Sequence, residues 1–151
     1  MKKEFGLVAV LVVCCLVSGV WCLAAEKEKG LVGWWKFDEG DGEVARDSSG
    51  KGYDGQIAGA GWVDGKSGKA LLFDGNSSVE IPDAGDLRLA KGITIEAWVC
   101  PAEIEGWRFI VNKQDEYQLR VDPPQEKNQF SLLIYSDGSW EPRVSNSVPA
   151  L

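Results

Sequence analysis

Short apolar or alternating runs, broken about every ten residues by clusters of Gly, Asp and Ser, constrain this chain more than any other feature. Leu31-Val-Gly-Trp-Trp-Lys-Phe-Asp38 is followed by Asp47-Ser-Ser-Gly50. Ala70-Leu-Leu-Phe-Asp-Gly75 and Ile93-Thr-Ile-Glu-Ala-Trp-Val99 come next. Runs this short suit strands of about 5–6 residues that reverse on Gly and Asp. No long amphipathic repeat is visible, so helices have little to build on. The predicted class is all-β, an antiparallel β-sandwich. Glycine, at 18 residues, fits a chain with many turns.

Alternation assigns faces. In residues 31–37, Leu31, Gly33, Trp35 and Phe37 share one side, and Val32, Trp34 and Lys36 the other. Residues 92–99 read as the clearest strand. Ile93, Ile95, Ala97 and Val99 are predicted on its core face, with Thr94, Glu96, Trp98 and Cys100 opposite. Pro101 stops it. Residues 53–58 form a second strand, resumed at Trp62 and Val63. Residues 70–73 and 78–81 are predicted to pair as a hairpin across the turn 74–77. Strands are also expected at 108–112, 117–121, 130–135 and from Trp140 to Val144. Single helical turns are expected at 43–47 and around Asp86, Leu87 and Arg88.

The first 25 residues read as a secretory signal peptide. Lys2 and Lys3 precede an uncharged run, and small residues at Ala24 and Ala25 offer cleavage sites. Uncleaved, the run is long enough to anchor the chain in a membrane, which takes about 20 residues. Residues 26–30 are a charged spacer, and residues 31–151 are the domain. Cleavage removes Lys2, Lys3 and Glu4, moving the net charge from −7 to −8. Such a domain lacks the basic face that nucleic acid requires. Three of the four cysteines leave with the leader, so Cys100 has no internal disulfide partner. The chain contains no histidine. That excludes Ser-His and Cys-His nucleophile pairs and the commonest metal ligand.

Taken in order, five segments resemble the laminin-G-like jelly roll of the concanavalin A-like lectin/glucanase superfamily. They are Val32-Gly-Trp-Trp-Lys-Phe-Asp-Glu-Gly-Asp-Gly42, Ala45-Arg-Asp-Ser-Ser-Gly50, Ala70-Leu-Leu-Phe-Asp-Gly75, Val79-Glu-Ile-Pro82 and Ile93-Thr-Ile-Glu-Ala-Trp-Val99. The resemblance runs from about Gly30 to Val144. It implies a jelly roll whose C-terminal strands are missing from this chain, and hence open core faces and unpaired strand edges.

The resemblance also frames the chemistry. Some sandwiches of this kind hydrolyse β-glucans with carboxylates spaced Glu-x-Asp-x-Glu. Glu39-Gly-Asp-Gly-Glu43 has the spacing, but its glycines make a turn rather than a pleated strand. Glu96 has Thr94 and Trp98, not acids, as its same-face neighbours. No catalytic residue is assigned, and an enzyme is not expected. A structural calcium ion is the cofactor such jelly rolls imply. Asp38, Asp47 and Asp74, beside Gly-rich turns, are its candidate ligands, since Ca²⁺ takes carboxylate and carbonyl oxygens. Asp acids that cap their own turns are the competing reading.

Exposed Trp rings stack on sugar faces. Trp98 shares its face with Thr94 and Glu96, and Trp107 follows a polar loop. Trp98, Trp107 and Glu96 are therefore the candidate ligand-binding residues. The expected function, by analogy of fold, is a secreted or cell-surface binding or adhesion module for glycans or cell-surface glycoproteins. The alternatives are a passive structural domain, a fragment of a larger secreted protein, and a glycoside-hydrolase-like enzyme.

Overall fold

The computed structural model describes residues 30–88, 92–102, 105–127 and 129–146, the last six by their backbone alone. The predicted signal peptide and all of the spacer but Gly30 lie outside the described residues.

Among the described residues, the regular structure is almost all antiparallel strand. Its strands are β1 (Val44–Ala45), β2 (Gly55–Ala58), β3 (Gly61–Asp64), β4 (Lys69–Leu72), β5 (Ser78–Glu80), β6 (Arg108–Lys113), β7 (Tyr117–Val121), β8 (Phe130–Ser136) and β9 (Ser139–Asn146). Two 3₁₀ turns, at Gly85–Leu87 and Pro124–Glu126, complete the described elements. Three sheets result, in the orders β1-β2-β5, β3-β4 and β6-β7-β8-β9.

The four-stranded sheet is a meander whose turns follow from local chemistry. Asp137 (φ 51°) and Gly138 (φ 85°) both take left-handed backbone, the two-residue reversal whose twist matches its flanking strands. Asp115 turns the β6–β7 hairpin with φ 57°. The longer β7–β8 connection is closed by Asp122 N–H donating to the Gln129 carbonyl, 2.9 Å. Within it, Pro123 and Pro124 lead into the second 3₁₀ turn. A bulge at Ile110 shifts the register between Phe109 and Val111. These strands lie within a residue or so of the ranges read from the sequence, apart from Trp140 to Val144, which β9 extends at its C-terminal end by two residues to Asn146.

Elsewhere the pairing departs from expectation. Residues 70–73 and 78–81 do not pair: β4 pairs with β3, and β5 with β2. The Gly65–Gly68 reversal is tighter, with Gly65 N–H donating to Gly68 O at 3.0 Å and Gly68 at φ 69°. It draws β4 back onto β3, while Asp74–Ser77 closes only its own turn. Residues 43–47, expected as a helical turn, hold β1 instead. Residues 31–37 keep the predicted alternation, with 31, 33, 35 and 37 half-buried and 32, 34 and 36 exposed. Yet they form one bridge only, Trp35 to Asp47, because a side chain takes the next backbone donor: Trp34 N–H goes to the Asp47 carboxylate.

Among the described residues, 92–99 join no ladder, so the strand expected there is not formed. The predicted faces hold only in part: Ile93 and Ile95 are half-buried, but Ala97 and Val99 are exposed, and Glu96, expected on the opposite face, lines with Ile95, Ala97 and Val99 a cavity of about 330 Å³ whose other wall is Ile110, Leu119 and Phe130. The segment borders the apolar sheet face across this cavity and does not extend the sheet. Among the described residues, the buried apolar side chains include Ala45, Ile57, Tyr117, Val121 and Leu133. They fall into two small groups, around β1–β2 and β7–β8.

One segment ties these groups together. Asp83 accepts from Lys113 Nζ (2.6 Å) and from Arg88, and Asp86 accepts from Lys51 Nζ (2.7 Å). Tyr117, only 6% exposed, donates its hydroxyl to the Leu87 carbonyl at 2.8 Å. The surface ion pairs each contribute little. The buried tyrosine fixes the position.

Gly55 tests how tightly β2 and β5 approach. A methyl group there would fall 2.6 Å from Val79 Cγ1 and 3.2 Å from Ile81 Cγ1. Gly55→Ala is expected to destabilise the fold by about 1–3 kcal/mol. Gly61→Ala, with open space around it, should be within about 0.5 kcal/mol of the parent. Urea denaturation of the two variants checks the contrast.

Candidate functional site

Strand β7 has two unlike faces. Tyr117, Leu119 and Val121 point to the apolar side, and Gln118 and Arg120 to the other, where Asp122 continues the alternation just beyond the strand. Register sets Arg120 opposite Ser131 of β8 and Phe109 of β6. Trp107, two residues before Phe109, continues the same face at the edge of the sheet.

These residues form one connected group. Asp122 and Ser131 are fully buried, and Gln118 is 9% exposed. The Asp122 carboxylate accepts the Ser131 hydroxyl on Oδ2 and Arg120 Nε–H on Oδ1 at 3.0 Å. Arg120 Nη1 donates to Gln118 Oε1 at 3.4 Å. The guanidinium then lies over the Trp107 ring, 3.9 Å from its centroid. A buried carboxylate is tolerated only when paired and hydrogen-bonded, so Asp122 holds Arg120 in place. Trp107 is 46% exposed and Phe109 is 53% exposed. The result is a pair of open aromatic side chains beside a fixed cation. Such a surface offers π faces and N–H donors. It offers no nucleophile with a base, because Ser131 is committed to Asp122 and the chain has no histidine.

Of the predicted ligand-binding residues, Trp107 alone belongs to this group. Trp98 is 90% exposed, its ring 5.2 Å from Lys66 Nζ. Glu96 is exposed beside the apolar cavity. Neither shares a hydrogen bond, ion pair or ring contact with Trp107 or Arg120. Arg120, Asp122, Gln118 and Ser131 were not anticipated. The pattern Gln118-Leu-Arg-Val-Asp122 carries the signal, three polar residues at a period of two within an otherwise apolar strand.

The three proposed calcium ligands are not brought together with one another. Among the described residues, no three acids or cysteines come close enough to hold a metal. Asp38 Oδ1 accepts Lys69 N–H at 3.3 Å. Asp74 Oδ1 accepts Asn76 N–H at 2.9 Å, a turn closed on itself. That backbone hydrogen bond is the main cause of its lowered pKa.

Asp47 has a different task. Its Oδ1 accepts Trp34 N–H (3.0 Å) and Ser49 N–H (2.8 Å). Its Oδ2 accepts the Ser49 hydroxyl (2.8 Å) and Tyr53 N–H (3.1 Å). Partial burial pushes the carboxyl upward, but the donors from Ser49, Tyr53 and Trp34 together outweigh it. They hold its pKa down to about 2. Both oxygens are thus occupied in stapling residues 34, 49 and 53. Cys100 is an exposed free thiol.

The chain matches no protein-family model, no curated protein and no solved structure.

A depressed carboxyl contributes stability fully above its unfolded pKa, near 3.8, and loses it as pH falls through about 2. Discounted for partial exposure, the Asp47 staple is worth about 1–2 kcal/mol at neutral pH. Asp47→Asn should lose that amount at pH 7. It should also flatten the decline in stability between about pH 4 and pH 2. Urea denaturation of both proteins across this range is the check.

Proposed function

We propose that this protein is a secreted, non-catalytic binding module, a β-sandwich of the laminin-G-like jelly-roll type, that takes glycans or glycoproteins on the Trp107–Phe109–Arg120 surface. The observation that carries this reading is the Trp107 ring, nearly half open and backed by a guanidinium that a buried carboxylate immobilises. Pyranose rings present apolar C–H patches that pack on aromatic faces and hydroxyls that accept from guanidinium N–H groups. A rigid aromatic anchor loses little entropy on binding. The leader-like N-terminal sequence supports the secretion part of this reading.

The absence of histidine and the commitment of Ser131 and Asp122 to each other support binding over hydrolysis. Glu39 and Glu43 give no support to a paired-acid site. Glu39 Oε1 accepts Arg46 N–H at 3.0 Å, and residues 41–43 form bends.

Immobilised oligosaccharides probed with the full chain test the proposal. Trp107→Ala should weaken binding at least about tenfold, equivalent to about 1.4 kcal/mol. Trp98→Ala should stay within about twofold, because Trp98 lies apart from Arg120. Retained binding in Trp107→Ala would refute the assignment of the surface.

A further inference from the structure

One sequence motif remains outside the binding surface. Asn76-Ser77-Ser78 is an asparagine-glycosylation acceptor, Asn-x-Ser with no proline between, and it is the only such triplet in the chain. Asp74, two residues before Asn76, also meets the longer form of the motif, which some transferases require. The structure puts the triplet where an acceptor has to be. It runs through the Asp74–Ser77 turn into the first residue of β5. Main-chain donors close that turn: Asp74 N–H donates to Ser77 Oγ (3.0 Å), and Asn76 N–H donates to Asp74 Oδ1 (2.9 Å). The Asn76 side chain is left out of this bonding. Asn76 is exposed, and among the described residues neither its carboxamide nor the Ser78 hydroxyl has a hydrogen-bond partner. A Cβ at Gly75, where φ is 92°, would meet nothing within 4 Å.

Resting on the secretion part of the reading above, we infer that Asn76 carries an N-linked glycan in the secreted protein. The donor is a lipid diphosphate-linked oligosaccharide, held by a membrane-bound, asparagine-specific transferase. Asn76 Nδ2 forms a bond to the anomeric carbon of the first sugar. The bond from that carbon to the diphosphate oxygen breaks, and its electron pair leaves with the lipid diphosphate. Nδ2 loses one proton to a base on the transferase, and nothing is oxidised or reduced. An amide bonded within the turn would first have to be released, and that of Asn76 is free. The product is bulky and hydrophilic. It would stand just after Leu72 and Phe73, which are 61% and 48% exposed, and at the start of β5, which lies at the end of its three-stranded sheet. Polar bulk at such a place keeps an open edge from pairing with other chains.

The test starts with the protein as its own cells secrete it. Tryptic cleavage after Lys69 and Arg88 releases residues 70–88 as one peptide. Mass spectrometry should find that peptide heavier by an oligosaccharide, and electron-transfer fragmentation should place the sugar on Asn76. Asn76→Gln and Ser78→Ala should each abolish the added mass, whereas Ser78→Thr and Ser77→Ala should keep it. Mapping of the parent decides the matter even where a variant fails to fold. An unmodified peptide from the secreted protein, or sugar on Ser77 or Ser78 instead, would overturn the inference and leave secretion standing. A chain retained inside the cell with its leader intact would overturn secretion and the inference together.

Discussion

A carboxylate with no exposed surface organises the sheet of β6 to β9. Asp122 stands just past the end of β7, where the chain leaves the ladder, and its charge cannot be left bare in a low-dielectric setting. Removing one partner of such a pair is strongly destabilising, of the order of 3–5 kcal/mol, because the survivor stays buried. Arg120 and Ser131 are therefore not free to rearrange. Through Arg120 the constraint passes to Trp107, whose ring the guanidinium covers. Asp122 N–H also closes the loop that returns the chain to β8. One side chain and its own backbone thus fix a loop, a strand register and the placement of an exposed aromatic.

The N-terminal part of the domain solves a different problem by similar means. Residues 31–37 alternate as a strand would, yet have one bridge in place of a ladder. Their nearest substitute for a ladder is the Asp47 side chain, which accepts from three backbone N–H groups and a hydroxyl. Trp35 adds a second tie, with Nε1–H donating to the Tyr53 carbonyl at 2.8 Å. Trp62 adds a third, donating to the Gly42 carbonyl at 2.9 Å. Side-chain hydrogen bonds take the place of sheet bonds where the chain turns too often to pair at length. That is why a chain with so many Gly-Asp turns spends its carboxylates on its own backbone, and why they are poorly placed to share a cation.

The two-residue period made much of this legible from sequence. Half-burial at 31, 33, 35 and 37, half-burial at 93 and 95, and the limits of β6, β7 and β8 all follow from alternation and turn chemistry. Pairing was not legible in the same way. Whether β4 joins β3 or β5 turns on which of two glycine-containing reversals is tighter, and both Gly65–Gly68 and Asp74–Ser77 look alike as strings. The exposed Trp107 was recognisable by its polar neighbourhood. Its partners were harder to see, because Arg120 and Asp122 lie in a different strand and meet Trp107 only through the β6–β7 register. Trp98 shows the limit of the same reasoning: exposure follows from its face, but company does not.

Residues 92–99 show how a strand pattern can be satisfied without a strand. A period of two needs an apolar surface on one side and water on the other, and the apolar face of β6, β7 and β8 supplies the first. Ile95, Ala97 and Val99 meet it across a space left partly open by the Ile110 bulge and the small Ala97 side chain. Hydrophobic contact is non-directional and does not require a ladder. It leaves Thr94 and Trp98 exposed, with Glu96 at the rim of the cavity. The two faces of the four-stranded sheet are thereby kept distinct. The face bearing Arg120 carries the buried Gln118, Ser131 and Leu133, and it is at its β6 edge that Trp107 and Phe109 are open to solvent.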